Sequence, residues 1–249
     1  MAGHSKWKTI KHKKAATDAK RGKIFSKLVR EIVMAARMGG GDPAMNTRLR
    51  LALQKGKDAN MPQDNIKRAI EKGVGGGDGE QMVEVTYEAY GPNGVALIID
   101  TLTDNKNRTV PNLRCILSKG GGSMANNGAV SYMFDTKGLL LFEPGVSEDQ
   151  IMELATEAGA EDIDIQEDGS IEVLTEQGDF EAVRLAIETA EIPFLEASIT
   201  KLPQTTVDLD ADGAQQIINL IDSLEDDDDV QTVYGNHSIS DEIMEAMGE

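Results

Sequence analysis

The sequence predicts a multi-domain α+β protein, an N-terminal all-helical domain plus two ferredoxin-like α/β domains, one inserted into the other. Three observations predict it. Apolar residues recur at helical spacing as far as Gly73, and from residue 81 the pattern changes to strands alternating with helices. A glycine-rich stretch, GVGGGDGE, lies at that change and reads as a linker. The charge reverses there too: residues 1–80 hold 18 Lys and Arg against 8 Asp and Glu, net +10, whereas residues 81–249 hold 7 against 35, net -28.

In chain order, Ile24, Phe25, Leu28, Val29, Ile32, Val33 and Ala36 predict a helix over 15–38, stopped by Gly39, Gly40 and Gly41. Lys20, Lys23, Lys27 and Arg30 fall together on the side roughly opposite that apolar face. Leu49, Ala52 and Leu53 mark a second helix from about Asn46 to Asp58, and Ile66, Ala69 and Ile70 a third that starts near Pro62. VEVTYEAY and GVALIIDTL read as strands joined at Pro92-Asn93-Gly94, followed by a helix from about Thr109 to Lys119 and a strand at AVSYMF. KGLLLFE, a helix near 148–158, EDIDIQ, SIEVLTE, a helix near 179–191 and FLEASITKL then spell βαββαβ, a complete ferredoxin-like unit.

What remains, TTVDLD, a helix over 211–225 and VQTVYG, spells βαβ, too little to close a core alone. It is therefore expected to pair with the earlier ββαβ. The domains so predicted are 1–78, a discontinuous one of 79–134 with 204–249, and an inserted one of 135–203.

Composition narrows the function. With 40% hydrophobic residues the chain can build cores, and with 4% aromatics they must be largely aliphatic. Cys115 is the only cysteine, which excludes an intramolecular disulfide and a cysteine metal cage. The N-terminus lacks the apolar stretch of a secretory signal, and no apolar run approaches the roughly 18 residues of a membrane span. A cytoplasmic protein with no membrane partner is expected.

Only the first domain is electrostatically suited to phosphates. Lys6, Lys8, Lys11, Lys13 and Lys14 surround Trp7, His4 and His12. Ammonium groups neutralise phosphates and an indole stacks on a base, so Lys6, Trp7, Lys8, Lys11, His12, Lys13 and Lys14 are candidate nucleic-acid contacts. Lys20, Arg21, Lys23, Lys27 and Arg30 extend them along the first helix. A second candidate contact is Lys106, Asn107 and Arg108 in the DNKNRT stretch ahead of a helix N-terminus, where the plainer reading is a capped turn.

The glycine clusters at 39–41, 73–79 and 120–122 lack the Lys-Ser/Thr and strand-to-helix context of a phosphate loop. No nucleophile, base and orienter can be nominated, so no enzyme, cofactor, metal or small-molecule substrate is expected. Acidic runs such as Asp226 to Asp229 read as solvated surface. A metal-dependent nuclease using the acidic domains is a distant alternative.

Finally, the opening MAGHSKWKTIKHKKAATDAKRGKIFSKLVREI, the GGGDP turn, NMPQDNIKRAIEKG, YEAYGPNG and DNKNRT resemble the YebC family, over about 135 residues in order. That family comprises bacterial YebC/PmpR-type transcriptional regulatory proteins and the related mitochondrial translational activators of cytochrome oxidase. The resemblance implies three domains, one interrupted, and a role in gene expression. It implies either a DNA-binding transcriptional regulator or a ribosome-associated, RNA-binding translation factor.

Overall fold

The structure, a computed structural model, describes residues 21–75 and 82–248. The first three helices are α1 (Arg21–Gly39), α2 (Thr47–Asp58) and α3 (Gln63–Val74). Ile32, Val33, Ala35, Ala36, Leu49, Ala52, Met61, Ile66 and Ala69 form their shared core, edged by Phe25, Leu28, Val29, Leu53 and Ile70. Four of those nine core residues are alanine and Gly73 is buried beside them, so the helices approach closely: a Cβ on Gly73 would lie 2.5 Å from the Val33 carbonyl oxygen and 2.7 Å from the Ala36 Cβ.

Asn46 joins the end of α1 to the start of α2. Its side chain accepts from the Leu49 amide at 3.0 Å, capping α2, and donates to the carbonyls of Ala35 and Gly40 at 2.8 Å each. Gly40, with φ +85°, turns the chain out of α1 in the left-handed conformation that closes many helices.

The first sheet has strands in the order β3 (Ser123–Met124), β1 (Val83–Tyr90), β2 (Ala96–Thr103), β9 (Val230–Gly235). β1 and β2 form an uninterrupted antiparallel hairpin from Val83↔Thr103 to Tyr90↔Ala96, turned by Pro92–Gly94 with Asn93 and Gly94 at positive φ. Helix α4 (Lys106–Lys119) connects β2 to β3, and α7 (Ala211–Glu225) precedes β9. The two helices pack on each other.

The strand expected at AVSYMF does not form: residues 131–133 are a 3-10 turn and Phe134 already opens β4. The buried Glu88 carboxylate accepts from the Gly128 and Val130 amides at 2.6 Å each, which holds the segment in a turn and uses the amides a strand would pair. The edge of the sheet falls instead to the two residues of β3.

The second sheet has the order β5 (Asp162–Ile165), β6 (Ile171–Glu176), β4 (Phe134–Phe142), β7 (Glu196–Pro203), all antiparallel. With α5 (Glu148–Ala158) after β4 and α6 (Phe180–Thr189) after β6, this is the ferredoxin-like strand order. Leu139, Leu140, Leu141 and Phe142 are buried because β4 is central, flanked by β6 and β7. Gly138 leaves room for α6, since a Cβ there would meet Phe180 at 2.6 Å.

The last βαβ does not enter the first sheet intact. β9 pairs with β2, but β8 (Val207–Leu209) pairs with β10 (His237–Ile239) in a separate two-stranded sheet. The short β10 and the closing helix α8 (Asp241–Gly248) carry too few periodic residues to be legible as strand and helix.

The chain divides into two compact units. One contains Ser131–Asp208 and the segment from Asn236; the other contains the three-helix bundle and first sheet, through Val130 and again over Leu209–Gly235.

Two outcomes follow from this packing. Gly73→Ala is expected to lower stability by about 1–3 kcal/mol in urea unfolding, because α1 and α3 must separate to admit the methyl group. A fragment of residues 134–203 is expected to unfold cooperatively when expressed alone, whereas 82–134 is expected not to fold without β9 covering the β2 edge. Circular dichroism melts of the two fragments check this.

Candidate nucleic-acid interface

The cations of α1 have partners: Lys23, Lys27 and Arg30 all reach one acidic segment. Their face of the helix lies against the end of α7 and the acidic residues that follow, within the same compact unit. The last carbonyls of a helix lack intrahelical donors and carry the negative end of its dipole, so cations there satisfy both needs. Lys27 Nζ donates to the Glu225 carbonyl at 2.5 Å, and Lys23 Nζ to the Asp226 carbonyl and to its Oδ1, each at 3.3 Å. Arg30 donates to the Asp228 carbonyl and stands 3.6 Å from Asp229 Oδ1.

Asp229 is the deepest of these acids, with 2% of its surface exposed. A carboxylate so placed is tolerated only when its lone pairs are filled. Arg108 donates to Oδ1 at 2.8 Å and Oδ2 at 3.0 Å, and the hydroxyls of Thr109 and Thr103 reach Oδ2 at 2.9 and 3.1 Å. The carboxylate thus ties together the end of β2, the first turn of α4, the approach to β9 and, through Arg30, helix α1.

Arg108 also forks to Asp104 at 2.7 Å, and that hydrogen bond holds the Asp104 carboxyl below its ordinary range. The folded-state value is depressed, so the contribution is complete above the ordinary carboxylate pKa and is lost as pH falls through the lowered one. The hydrogen bonds that Arg108 donates to Asp229, followed by the one it donates to Asp104, raise it above the usual guanidinium value. Burial, then the charge of Asp229, pushes the Tyr87 hydroxyl up.

Lys6, Trp7, Lys8, Lys11, His12, Lys13, Lys14 and Lys20 lie outside the described residues. Arg21 opens α1, and its side chain lies outside them as well. Lys23, Lys27 and Arg30 share one face, as their spacing implies, and all three engage the segment 225–229.

Lys106, Asn107 and Arg108 are the first turn of α4, not a loop ahead of a helix starting near Thr109. Asn105 is the cap, accepting from the Arg108 amide at 3.2 Å, and the helix tolerates Pro111 in its interior. Lys106 and Asn107 are exposed there. Lys23, Lys27 and Arg30 from the first candidate contact and Arg108 from the second, distant in sequence, therefore meet at one acidic segment.

That segment is what sequence reasoning missed. Asp226 to Asp229 is not uniformly solvated surface: Asp226 and Asp228 are exposed and Asp229 is enclosed. A usable signal was its position, since the last Asp directly precedes the apolar strand VQTV and enters the interior with it. Among the described residues, no group of three or more His, Cys, Asp or Glu is placed to hold a metal ion, and no helix is long and apolar enough to cross a membrane.

The fold and this charge cluster define a multi-domain α+β protein with a cationic helical bundle at its N-terminal end. Two family models match it: TACO1/YebC protein N-terminal domain over residues 5–76, and TACO1/YebC second and third domain over residues 82–237. The chain belongs to the TACO1/YebC family.

It is 52% identical to the transcriptional regulatory protein PmpR of Pseudomonas aeruginosa over 248 residues, covering 100% of both chains. It is 54% identical to a probable transcriptional regulatory protein of Paraburkholderia phymatum over 242 residues, 97% of this chain and 100% of that one. Among solved structures, a conserved hypothetical protein, Aq1575, from Aquifex aeolicus matches with a TM-score of 0.80 and 44% identity over 90% of this chain and 93% of that one. The family and its fold are thereby shown, and the relatives carry the name of regulators.

Asp229→Ala is expected to lower stability by about 3 kcal/mol in denaturant unfolding, since it removes the one acceptor that Arg108 and the buried Thr103 and Thr109 hydroxyls share. Asp228→Asn, at an exposed position, is expected to change it by less than about 0.5 kcal/mol.

Proposed function

We propose that the protein is a non-enzymatic, cytoplasmic nucleic-acid-binding regulator of gene expression, whose basic N-terminal segment makes the primary contact. One observation carries this reading: a net charge of +10 over residues 1–80 beside -28 over the rest, in a family whose relatives are named transcriptional regulators. The acidic remainder repels phosphates, so a polyanion is restricted to the basic end. Lys6, Lys8, Lys11, Lys13 and Lys14 neutralise phosphates, Lys20 and Arg21 continue the line, and Trp7 with His12 stacks on bases.

The names of the relatives favour DNA as the target. Binding to structured RNA at the ribosome is the second reading, favoured by Trp7 and two histidines among the lysines. A flat side chain among cations suits splayed bases beside phosphates, which duplex DNA does not offer. The two readings separate in a lysate gradient: a translation factor co-sediments with ribosomes and crosslinks to their RNA, and a DNA-binding regulator does neither.

If about six basic groups meet duplex DNA, log K is expected to fall against log salt with a slope of roughly -5, about a thousandfold loss between 50 and 200 mM salt, and less steeply for single-stranded RNA. Replacing Lys11, Lys13 and Lys14 together flattens the line. Trp7→Ala lowers affinity at nearly constant slope, because stacking releases no counterions. Binding and salt dependence that survive deletion of residues 1–14, in a protein that still folds, would overturn the N-terminal contact.

A further inference from the structure

We infer that residues 225–229 act as a built-in polyanion mimic, an autoinhibitory latch that occupies the basic face of α1 until a phosphate backbone displaces it. The inference rests on the nucleic-acid reading above and adds a regulatory step to it. Three side chains from α1, Lys23, Lys27 and Arg30, engage this one segment through the backbone carbonyls of Glu225, Asp226 and Asp228 and the carboxylates of Asp226 and Asp229. A string of closely spaced oxygen acceptors facing a row of cations is the arrangement a phosphate backbone offers.

The latch is built to open. The Lys23 and Asp226 side chains are 50% and 45% exposed, and exposed ion pairs of this kind are each worth a factor of about one to five in an equilibrium. The buried end holds without α1: Asp229 keeps Arg108, Thr103 and Thr109 when Arg30 leaves. Releasing α1 therefore exposes cations without opening the sheet.

The test compares three forms of the full-length protein. The first is wild type. The second is the triple variant Glu225→Gln/Asp226→Asn/Asp228→Asn, which spares Asp229 and the backbone carbonyls. The third is Asp149→Asn/Glu153→Gln/Glu157→Gln, which removes the same three charges from exposed positions of α5 in the other unit. Binding to a fluorescein-labelled 20-base-pair DNA duplex, and separately to an RNA hairpin, is measured between 50 and 200 mM salt.

The latch variant is expected to bind about fivefold more tightly at low salt, because a larger fraction of molecules presents the free face, with a steeper salt slope. The α5 variant is expected to stay within about twofold of wild type. Equal gains in both variants reduce the effect to net charge and overturn the latch, as does no gain in either.

A readout without nucleic acid separates this idea from the reading it rests on. The acylation of Lys23, which loses its Asp226 carboxylate partner in the latch variant, by a small amine-reactive ester, followed by mass spectrometry, is expected to be about twofold faster in that variant than in wild type. Equal rates overturn the latch even if the duplex binds. Faster acylation with no binding by any form sustains the intramolecular contact, removes its role against nucleic acid, and overturns the nucleic-acid reading itself.

Discussion

A carboxylate taken out of water must find compensating donors, and the Asp229 side chain finds them from three parts of the chain that are remote in sequence. Thr103 ends a strand, Thr109 and Arg108 sit in the first turn of the next helix, and Arg30 comes from the bundle. The demand for filled lone pairs fixes where α4 begins, because Arg108 and Thr109 reach the carboxylate only from a helix already started at Lys106. It also fixes where β9 begins, since Asp229 immediately precedes its first residue. Leu102 reinforces the junction from the backbone, donating to the Asp229 carbonyl at 2.8 Å. The local geometry of α4, β2 and β9 is thus set by satisfying one charge, with apolar packing of Val230 and Leu102 around it.

Much of the fold was legible from periodicity. The apolar residues of α1 to α3 face one core as their spacing indicated, and the βαββαβ segment forms the sheet order expected of it. What was not legible depended on side-chain to backbone bonds between residues far apart. The Asn46 clamp and the Glu88 carboxylate over the 128–130 amides leave no mark in hydrophobic pattern, and Glu88 converts an apparent strand into a turn. β8 carried a correct strand pattern, but its partner is the three-residue β10, too short to register.

For the candidate interface, the identity of the basic residues was legible and their surroundings were not. Spacing placed Lys23, Lys27 and Arg30 on one face, but their engagement with residue 225 and beyond spans about two hundred positions of sequence. A run of four aspartates looks uniform as text. In three dimensions the run crosses from solvent to interior, and its members differ in role according to depth: the exposed Asp226 and Asp228 meet Lys23 and Arg30, and the enclosed Asp229 organises the sheet.

The pairing of Phe134 with Pro203 at one end of the second sheet has a consequence for how the chain is made. During synthesis β2 emerges more than a hundred residues ahead of its partner β9, leaving an apolar edge unpaired while the intervening chain is translated. The intervening segment can fold first, and when it does, its entry and exit points become neighbours. The effective loop separating the two halves of the first sheet then shrinks by some seventy residues, and the entropy of closing it falls accordingly. The second sheet thereby acts as a staple for the first, so the order in which the halves acquire structure is written into where the chain enters and leaves the insertion.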